Sequence, residues 1–591
     1  MNEVNNKFRY IILMLLFLMF HRGGLFGQIE KSNKIDRAYE YLRQRGEVEI
    51  SFNLPSREMI KSISNIISIE NVDGNRVFGT TNEKIFNRFL ELGLDFEVLD
   101  PVFPESLRMS KNLDELQDWQ TYPTFEQYDS LMKKFVDDYP ELCWLDTIGY
   151  SEEGRNILFV KISDNVNEKE AEREFMFTST IHGNETAGFI LMLRYIDYLL
   201  KNYETDSLVT RLVNEIEIWI NPLSNPDGLY AGGNHTISGA KRYNFYGVDL
   251  NRNFPDPADG PHPDGNDYQA ETLVMMDFME KHNFILSANF HSGAEVVNYP
   301  WDTWQTYDED KPTFHSPHPD DNWLQLVSKE YADTAQFFSP AGYFTNPASS
   351  GFILGGDWYM INGGRQDYVT YFLHGREVTI ELDNTKITPE SELENLWNYN
   401  YRSFLNYTKQ CLYGIRGIIT DSITSQPLKA KIEIPDHDAD SSFIYSDSTW
   451  GNYNRLIHEG TYNLKFSAPG YYEKYIDSII VENRKATELD VQLVPLNHTN
   501  IFRKLPVEFN ISMFPNPARS FVHLTFELPN PSMITVELYD ILGNRISRIS
   551  PGKYPAGDNQ IILNLTDLSG GIYFVRLKTD RKIMDKKIIK L

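Results

Sequence analysis

The stretch His182-Gly183-Asn184-Glu185 sets a histidine and a glutamate three residues apart. That separation lets an imidazole nitrogen and a carboxylate oxygen converge on one cation. The pair follows the apolar run Glu174 to Ile181 and precedes an apolar-periodic stretch from Ala187 to Tyr203. It therefore falls where a strand passes into a helix, the position at which open α/β sheets bind ligands. His291 closes a second strand-like run, Phe284 to Phe290, and is the candidate third ligand. Two imidazoles and one carboxylate leave a coordination position open, which is the donor set of a catalytic zinc and of metal-assisted hydrolysis. Asp249, in Val248-Asp249-Leu250, is a carboxylate of the kind that orients such a ligand through its other ring nitrogen. An HxxE pair alone is a weak signal, because it arises by chance in chains that bind no metal.

Composition narrows the chemistry. Cys143 and Cys411 are the only cysteines, so a thiolate cage and a disulfide framework are both excluded by count, and any metal must be held by histidines and carboxylates. Whether the two pair or stay free thiols is open. A net charge of −27 with no clustered basic face excludes binding to a phosphate backbone, so nucleic acid is not an expected partner. At 591 residues the chain exceeds what one hydrophobic core serves, and several domains are expected.

The elements that position these residues can be read in order. Lys7 and Arg9 precede the apolar run Ile11 to Phe20, too short to span a membrane, so residues 1–27 read as a secretory signal cut near Gly27. Residues 46–100 read as a small α/β unit, with a strand at Val48 to Phe52, helices at Arg57 to Ile67 and Glu83 to Leu92, and a last strand at Phe96 to Leu99. Asp100 to Asp118, with Pro101 and Pro104, reads as a linker. In residues 118–410, Thr124 caps a helix, and strands at 157–162, 174–181, 215–220, 284–290 and 377–382 alternate with helical stretches. This pattern predicts an α/β domain whose mixed, largely parallel sheet is flanked by helices. Residues 411–495 and 506–591 switch to short alternating runs with turn residues between them and predict two small β-sandwiches.

Five motifs recur in order: Gly149-Tyr150-Ser151 to Gly154-Arg155, the His182 to Glu185 turn, Asn221-Pro222 to Pro226-Asp227-Gly228, Asp249 to Pro255, and Thr379-Ile380-Glu381-Leu382. Taken together, the segment from Thr121 to about Asn406 resembles the zinc metallocarboxypeptidases of the carboxypeptidase A/B superfamily, and most closely the branch of carboxypeptidases N, E and D. The resemblance implies one Zn2+ per catalytic domain, held by His182, Glu185 and His291, with Asp249 orienting His182. It implies Glu381 as the general base that takes a proton from metal-activated water and returns it to the leaving amine. Arg242 matches the arginine that stabilises the oxyanion, with Lys241 beside it as the alternative assignment. Asn251 and Arg252 match the pair that grips the terminal carboxylate of a peptide substrate, and Tyr359 matches the tyrosine that closes over it, a core tyrosine being its plainer reading.

Specificity is expected from two further positions. Asp302 and Gln366 resemble the acidic and amide pocket residues of the branch that removes C-terminal Lys or Arg, and would leave an apolar side chain facing unpaired polar groups. Arg365 departs from that pattern, and pointing inward it would neutralise Asp302. A peptidoglycan-peptide amidase and a peptide-binding member without activity are the competing readings.

The flanking segments carry resemblances of their own. Residues 46–100 sit where related enzymes carry a propeptide. Tyr413 to Val494 resembles the transthyretin-like module of the same branch, through Gly414-Ile415-Arg416-Gly417 and Ala468-Pro469-Gly470-Tyr471. The last segment, with Phe514-Pro515-Asn516-Pro517, Leu568-Ser569-Gly570-Gly571 and the run ending at Leu591, resembles the C-terminal sorting domain of the type-nine export pathway of certain Gram-negative bacteria. That implies passage through periplasm and outer membrane to the cell surface or medium, with the outer-membrane secretion machinery as a partner.

Overall fold

Short apolar runs separated by polar, helix-forming stretches give the N-terminal unit its shape. The computed structural model describes residues 33–64, 66–100, 107–303, 314–345, 347–496, 511–528, 531–579 and 583–591. The secretory-signal reading of residues 1–27 lies outside the described residues. A helix α1 (33–45) leads into β1 (Glu47–Asn53), α2 (Ile60–Ser64), β2 (Ser68–Asp73), β3 (Arg76–Asn82), α3 (Glu83–Glu91) and β4 (Phe96–Val98). The strands form an antiparallel sheet in the order β2-β3-β1-β4. Asn82 starts α3 by accepting from the Ile85 amide at 3.0 Å. Phe86 and Phe89 of α3 meet Phe96 edge-on across this sheet at 5.5 and 5.7 Å. The helix expected over Arg57 to Ile67 is shorter, a 3-10 turn at Arg57–Met59 followed by α2.

The segment read as a linker belongs partly to the next core. Leu116, in α4 (Leu113–Leu116), and Trp119 are buried there, and a backbone bridge joins Met109 to Tyr122. The elements that follow are α5 (Phe125–Asp138), β5 (Cys143–Tyr150), β6 (Asn156–Ile162), β7 (Arg173–Ser179), α6 (Ala187–Asn202), α7 (Ser207–Glu215), β8 (Ile216–Asn221), α8 (Pro226–Leu229), α9 (Ala270–Glu280), β9 (Phe284–His291), β10 (Ala294–Tyr299), α10 (Asp321–Phe337), β11 (Phe352–Leu354), α11 (Gly355–Trp358), α12 (Arg365–Phe372), β12 (Glu377–Asp383) and α13 (Glu390–Thr408). Thr124 caps α5, as the sequence predicts, and Gln127 completes a capping box with it.

Eight strands form one sheet in the order β11-β10-β12-β9-β7-β8-β6-β5. Four of its seven pairings are parallel (β10 with β11, β12 with β9, β7 with β8, β7 with β9) and three are antiparallel, so the sheet is mixed and largely parallel. Central strands such as β8 are buried at every residue, which requires cover on both faces. One face packs Phe177 and Phe290 against Tyr195 of α6 and Phe404 of α13; the other packs Phe159 and Trp219 against Phe278 of α9. Cys143 and Cys411 are buried free thiols. Among the described residues no helix is long and apolar enough to cross a membrane.

The domain continues into a β-sandwich built from β13 (Gly414–Asp421), β14 (Lys431–Glu433), β15 (Ile444–Tyr445), β16 (Asn452–Arg455), β17 (Gly460–Ser467), β18 (Lys474–Val481), β19 (Ala486–Glu488) and β20 (Val491–Leu493). One sheet runs β16-β13-β19 with β20 also on β13, the other β15-β14-β17-β18. The join is polar and buried: Asp320, just before α10, accepts from Arg376 at 2.7 and 2.9 Å and from Arg455 of β16 at 2.6 and 2.9 Å. Asp320→Asn is expected to destabilise the chain by about 3–5 kcal/mol, because the buried Arg376 loses its carboxylate partner and the buried Arg455 is left with Asp438 alone. Denaturant titration checks it; a loss below about 1 kcal/mol would contradict the assignment.

Residues 497–591 form a separate unit. Its described strands make one sheet of β21 (Ile511–Phe514), β22 (Phe521–Leu528) and β25 (Gly557–Asn564) and a second of β23 (Ser532–Asp540), β24 (Arg545–Tyr554), β26 (Gly571–Lys578) and β27 (Ile583–Lys590), ordered β24-β23-β26-β27. Val522, Leu524, Val536, Val575 and Ile588 fill the space between them.

Candidate active site

The turn after β7 brings the first two candidate ligands inward. Gly183 permits it: a Cβ there would lie 2.2 Å from the Gly228 carbonyl carbon, so only glycine allows the two backbones to approach this closely. The turn is tied to the loop after β12, since Thr186 N donates to the Lys386 carbonyl at 2.9 Å and Thr388 N donates to Thr186 Oγ1 at 3.0 Å. His291 ends β9, and Glu381 stands opposite it in the parallel register of β12.

His182 Nδ1 lies 2.8 Å from Glu185 Oε1, and His291 Nδ1 lies 2.8 Å from Glu185 Oε2. The two Nδ1 atoms face each other at 3.1 Å. One inward-facing atom from each of the three residues lies within 4.8 Å of the others, all buried. Two imidazole nitrogens and a carboxylate turned on one point suit a zinc ion in both donor type and number. Burial would raise the Glu185 carboxyl, but the His182 and His291 imidazoles outweigh it and hold it well below the usual carboxylate range. Glu381 is the opposite case: burial, reinforced by the Glu185 charge, pushes its carboxyl well above that range, and its Oε2 has no partner.

One carboxylate organises the surroundings. Asp249 Oδ1 faces His182 Nε2 at 3.0 Å and accepts from the Asn251 amide at 3.0 Å, while Oδ2 accepts from Arg242 Nε at 3.0 Å. Arg242 Nη1 reaches Glu185 at 3.3 Å, whereas Lys241 lies outside, against Gly46. Asn251, Arg252 and Tyr359 line the same cavity, of about 200 Å3, as the three ligand candidates and Glu381. Tyr359 is also buried in the apolar core shared with the N-terminal unit, 4.8 Å from the Trp358 ring.

The specificity positions lie behind this cavity. Asp302 accepts from Asn298, itself a lining residue, at 2.8 Å. Gly355 makes room for it, because a Cβ there would fall 1.8 Å from Asp302 Oδ1. Both polar atoms of the Gln366 amide are buried without a partner. Arg365 points elsewhere: Nε and Nη2 pair with Glu377 at 3.0 and 2.8 Å, and Nη1 meets Thr178. It does not reach Asp302, so the neutralisation considered from sequence does not occur.

A profile described as zinc carboxypeptidase matches residues 128–403. The catalytic chain of carboxypeptidase N from Mus musculus is 31% identical over 396 residues, covering 62% of this chain and 85% of its own length. Carboxypeptidase SOL1 of Arabidopsis thaliana is 31% identical over 376 residues, 63% of this chain and 72% of its own. The chain belongs to the zinc carboxypeptidase family. Carboxypeptidase D of Homo sapiens is 34% identical over 386 residues, but the match spans only 26% of its length. A second profile, described as a secretion system C-terminal sorting domain, matches residues 512–591.

In this member of the zinc carboxypeptidase family the N-terminal unit lines part of the cavity. Glu49, Glu70, Asn71 and Phe78 line the cavity together with the residues above. Arg252 Nη2 donates to the Ile69 carbonyl at 3.0 Å, Glu70 lies 3.6 Å from Arg242, and Trp358 Nε1 donates to Asn71 at 3.0 Å. Glu47 accepts from the Arg242 amide at 2.9 Å, and burial pushes its carboxyl up to about 7. Sequence reasoning placed none of Glu47, Glu70 or Lys386 at the site. Only Lys386 carried a signal that could have found it, its position five residues past Glu381.

Proposed function

We propose that this chain is an exported zinc metallocarboxypeptidase that removes C-terminal Lys or Arg from peptides, and that residues 46–100 act as its propeptide. The observation that carries the reading is the meeting in one cavity of the His182, Glu185 and His291 set, the in-register Glu381 with a free carboxylate oxygen, and the Asn251 and Arg252 pair. His182, Glu185 and His291 would hold the zinc, which when bound supplies a Lewis acid that lets water lose a proton near neutral pH. Glu381 takes that proton and delivers it to the leaving nitrogen. Asp249 fixes the His182 ring and, through Arg242 Nε, aims a guanidinium at the charge that develops on the carbonyl oxygen. Arg252 and Asn251 bind the free terminal carboxylate, which restricts cleavage to the last peptide bond. Tyr359 covers the bound residue.

Asp302 supports the preference for a basic side chain. Burial pushes its carboxyl up to about 7. It is therefore charged above that pH and neutral below it, so preference for Arg over Leu should be greatest above pH 7 and decline as pH falls through it. Asp302→Asn is expected to lower the Arg-to-Leu ratio of kcat/KM about a hundredfold and to flatten its pH dependence. A ratio unchanged by the substitution would remove Asp302 from the specificity pocket. The sorting domain supports secretion or display at the cell surface through the outer membrane of a Gram-negative cell, with the secretion machinery as partner. The β-sandwich over 411–495 is assigned a structural, transthyretin-like role, supported by its polar join at Asp320.

A further inference from the structure

Lys386 lines the same cavity as His182, His291 and Glu381. Its backbone is held from the catalytic domain, through the bond from Thr186 N to its carbonyl at 2.9 Å. Its side chain is held from elsewhere. The ammonium contacts Glu70 at 2.6 Å, Glu49 at 2.9 Å and Thr80 Oγ1 at 3.5 Å, all of the N-terminal unit. Among the described residues the catalytic domain gives it no hydrogen-bond partner. An ammonium kept in a substrate cleft, yet directly paired only with carboxylates of a segment that occupies that cleft, is an anion site.

The occupying strand also indicates where along a substrate that site falls. Ile69 puts its carbonyl on Arg252, the next residue puts its carboxylate on Lys386 and within 3.6 Å of Arg242, and Asn71 binds Trp358. Consecutive residues of this strand therefore meet the terminal clamp and Lys386. We propose that, with the N-terminal unit displaced, Lys386 binds the side-chain carboxylate of the residue just before the one released, so that peptides ending in Glu-Arg, Asp-Arg, Glu-Lys or Asp-Lys are preferred. The inference rests on the carboxypeptidase reading of the cleft.

The test uses the zinc-loaded, secreted and processed protein and two blocked peptides, Ala-Glu-Arg and Ala-Gln-Arg, with release of Arg as readout. The expected kcat/KM ratio of the Glu to the Gln peptide is about ten or more, as a charge-assisted contact against a neutral one. Lys386→Met should bring the ratio to one or below, and Lys386→Arg should restore it. Zinc content verifies that each variant folds. If Lys386 acted only by favouring the ionised form of Glu381, the Met variant would change both rates alike and leave the ratio intact. A ratio near one in the unsubstituted protein, or one that survives Lys386→Met, overturns the inference while leaving basic-residue release standing. Failure to release Arg from either peptide overturns the carboxypeptidase reading and this inference with it.

Discussion

Glu381→Gln is expected to lower kcat by about three to four orders of magnitude while leaving zinc content intact and KM within a few-fold, the effect of removing a general base that touches the reacting water. The substitution is close to isosteric, and Oε2 makes no hydrogen bond that a glutamine would break. Burial and the Glu185 charge already favour an uncharged group there, so the variant should be no less stable than the parent. Single-turnover assays with metal analysis check both halves. A kcat within tenfold of the parent would mean that another group takes the proton.

Loosening the N-terminal unit should have the next largest effect, in the opposite direction. Full-length chain is expected to be nearly inactive, because Ile69 occupies the clamp arginine and Glu70 sits against Lys386 and Arg242. The double variant Glu47→Ala, Glu70→Ala removes the bond to the Arg242 amide and the ion pair to Lys386. Losing these two bonds, each worth about 0.5–1.5 kcal/mol net while Glu49 stays on Lys386, should raise peptide turnover by the full chain about one to two orders of magnitude. The apolar contact of Trp358 and Ile361 with this unit remains and limits the gain. Unchanged or lower activity in the double variant, with zinc retained, would mean that the unit does not hold the cleft closed.

The candidate site residues were legible as a group because strand ends impose position as well as type. His182, Glu185, His291 and Glu381 each follow an apolar run that reads as a buried strand, and the structure brings these positions together through parallel neighbours. The direction of the Arg365 side chain was not legible, since whether a guanidinium on α12 turns toward Asp302 or toward Glu377 depends on a partner twelve residues away on β12. Strand β10 and the edge strand β11 escaped detection because the first is polar at Glu295 and Asn298 and the second is three residues long. Helix α13 was hidden by Asn400 and Ser403, polar residues on its buried face, which blur the apolar period. Nothing in the composition of Ser68–Asp73 marks it as the strand that enters the cleft, because Glu70 acquires its meaning from Lys386 more than three hundred residues later.

The central claim is tested most directly by release of the terminal residue from matched peptides ending in Arg, Lys, Leu or Phe, using the processed protein with chelator and then with zinc restored. The account predicts release of Arg and Lys that stops with chelator and returns with zinc, and little release of Leu or Phe. Release of Leu or Phe in preference, or release of Arg that persists after the metal has been removed, would contradict it.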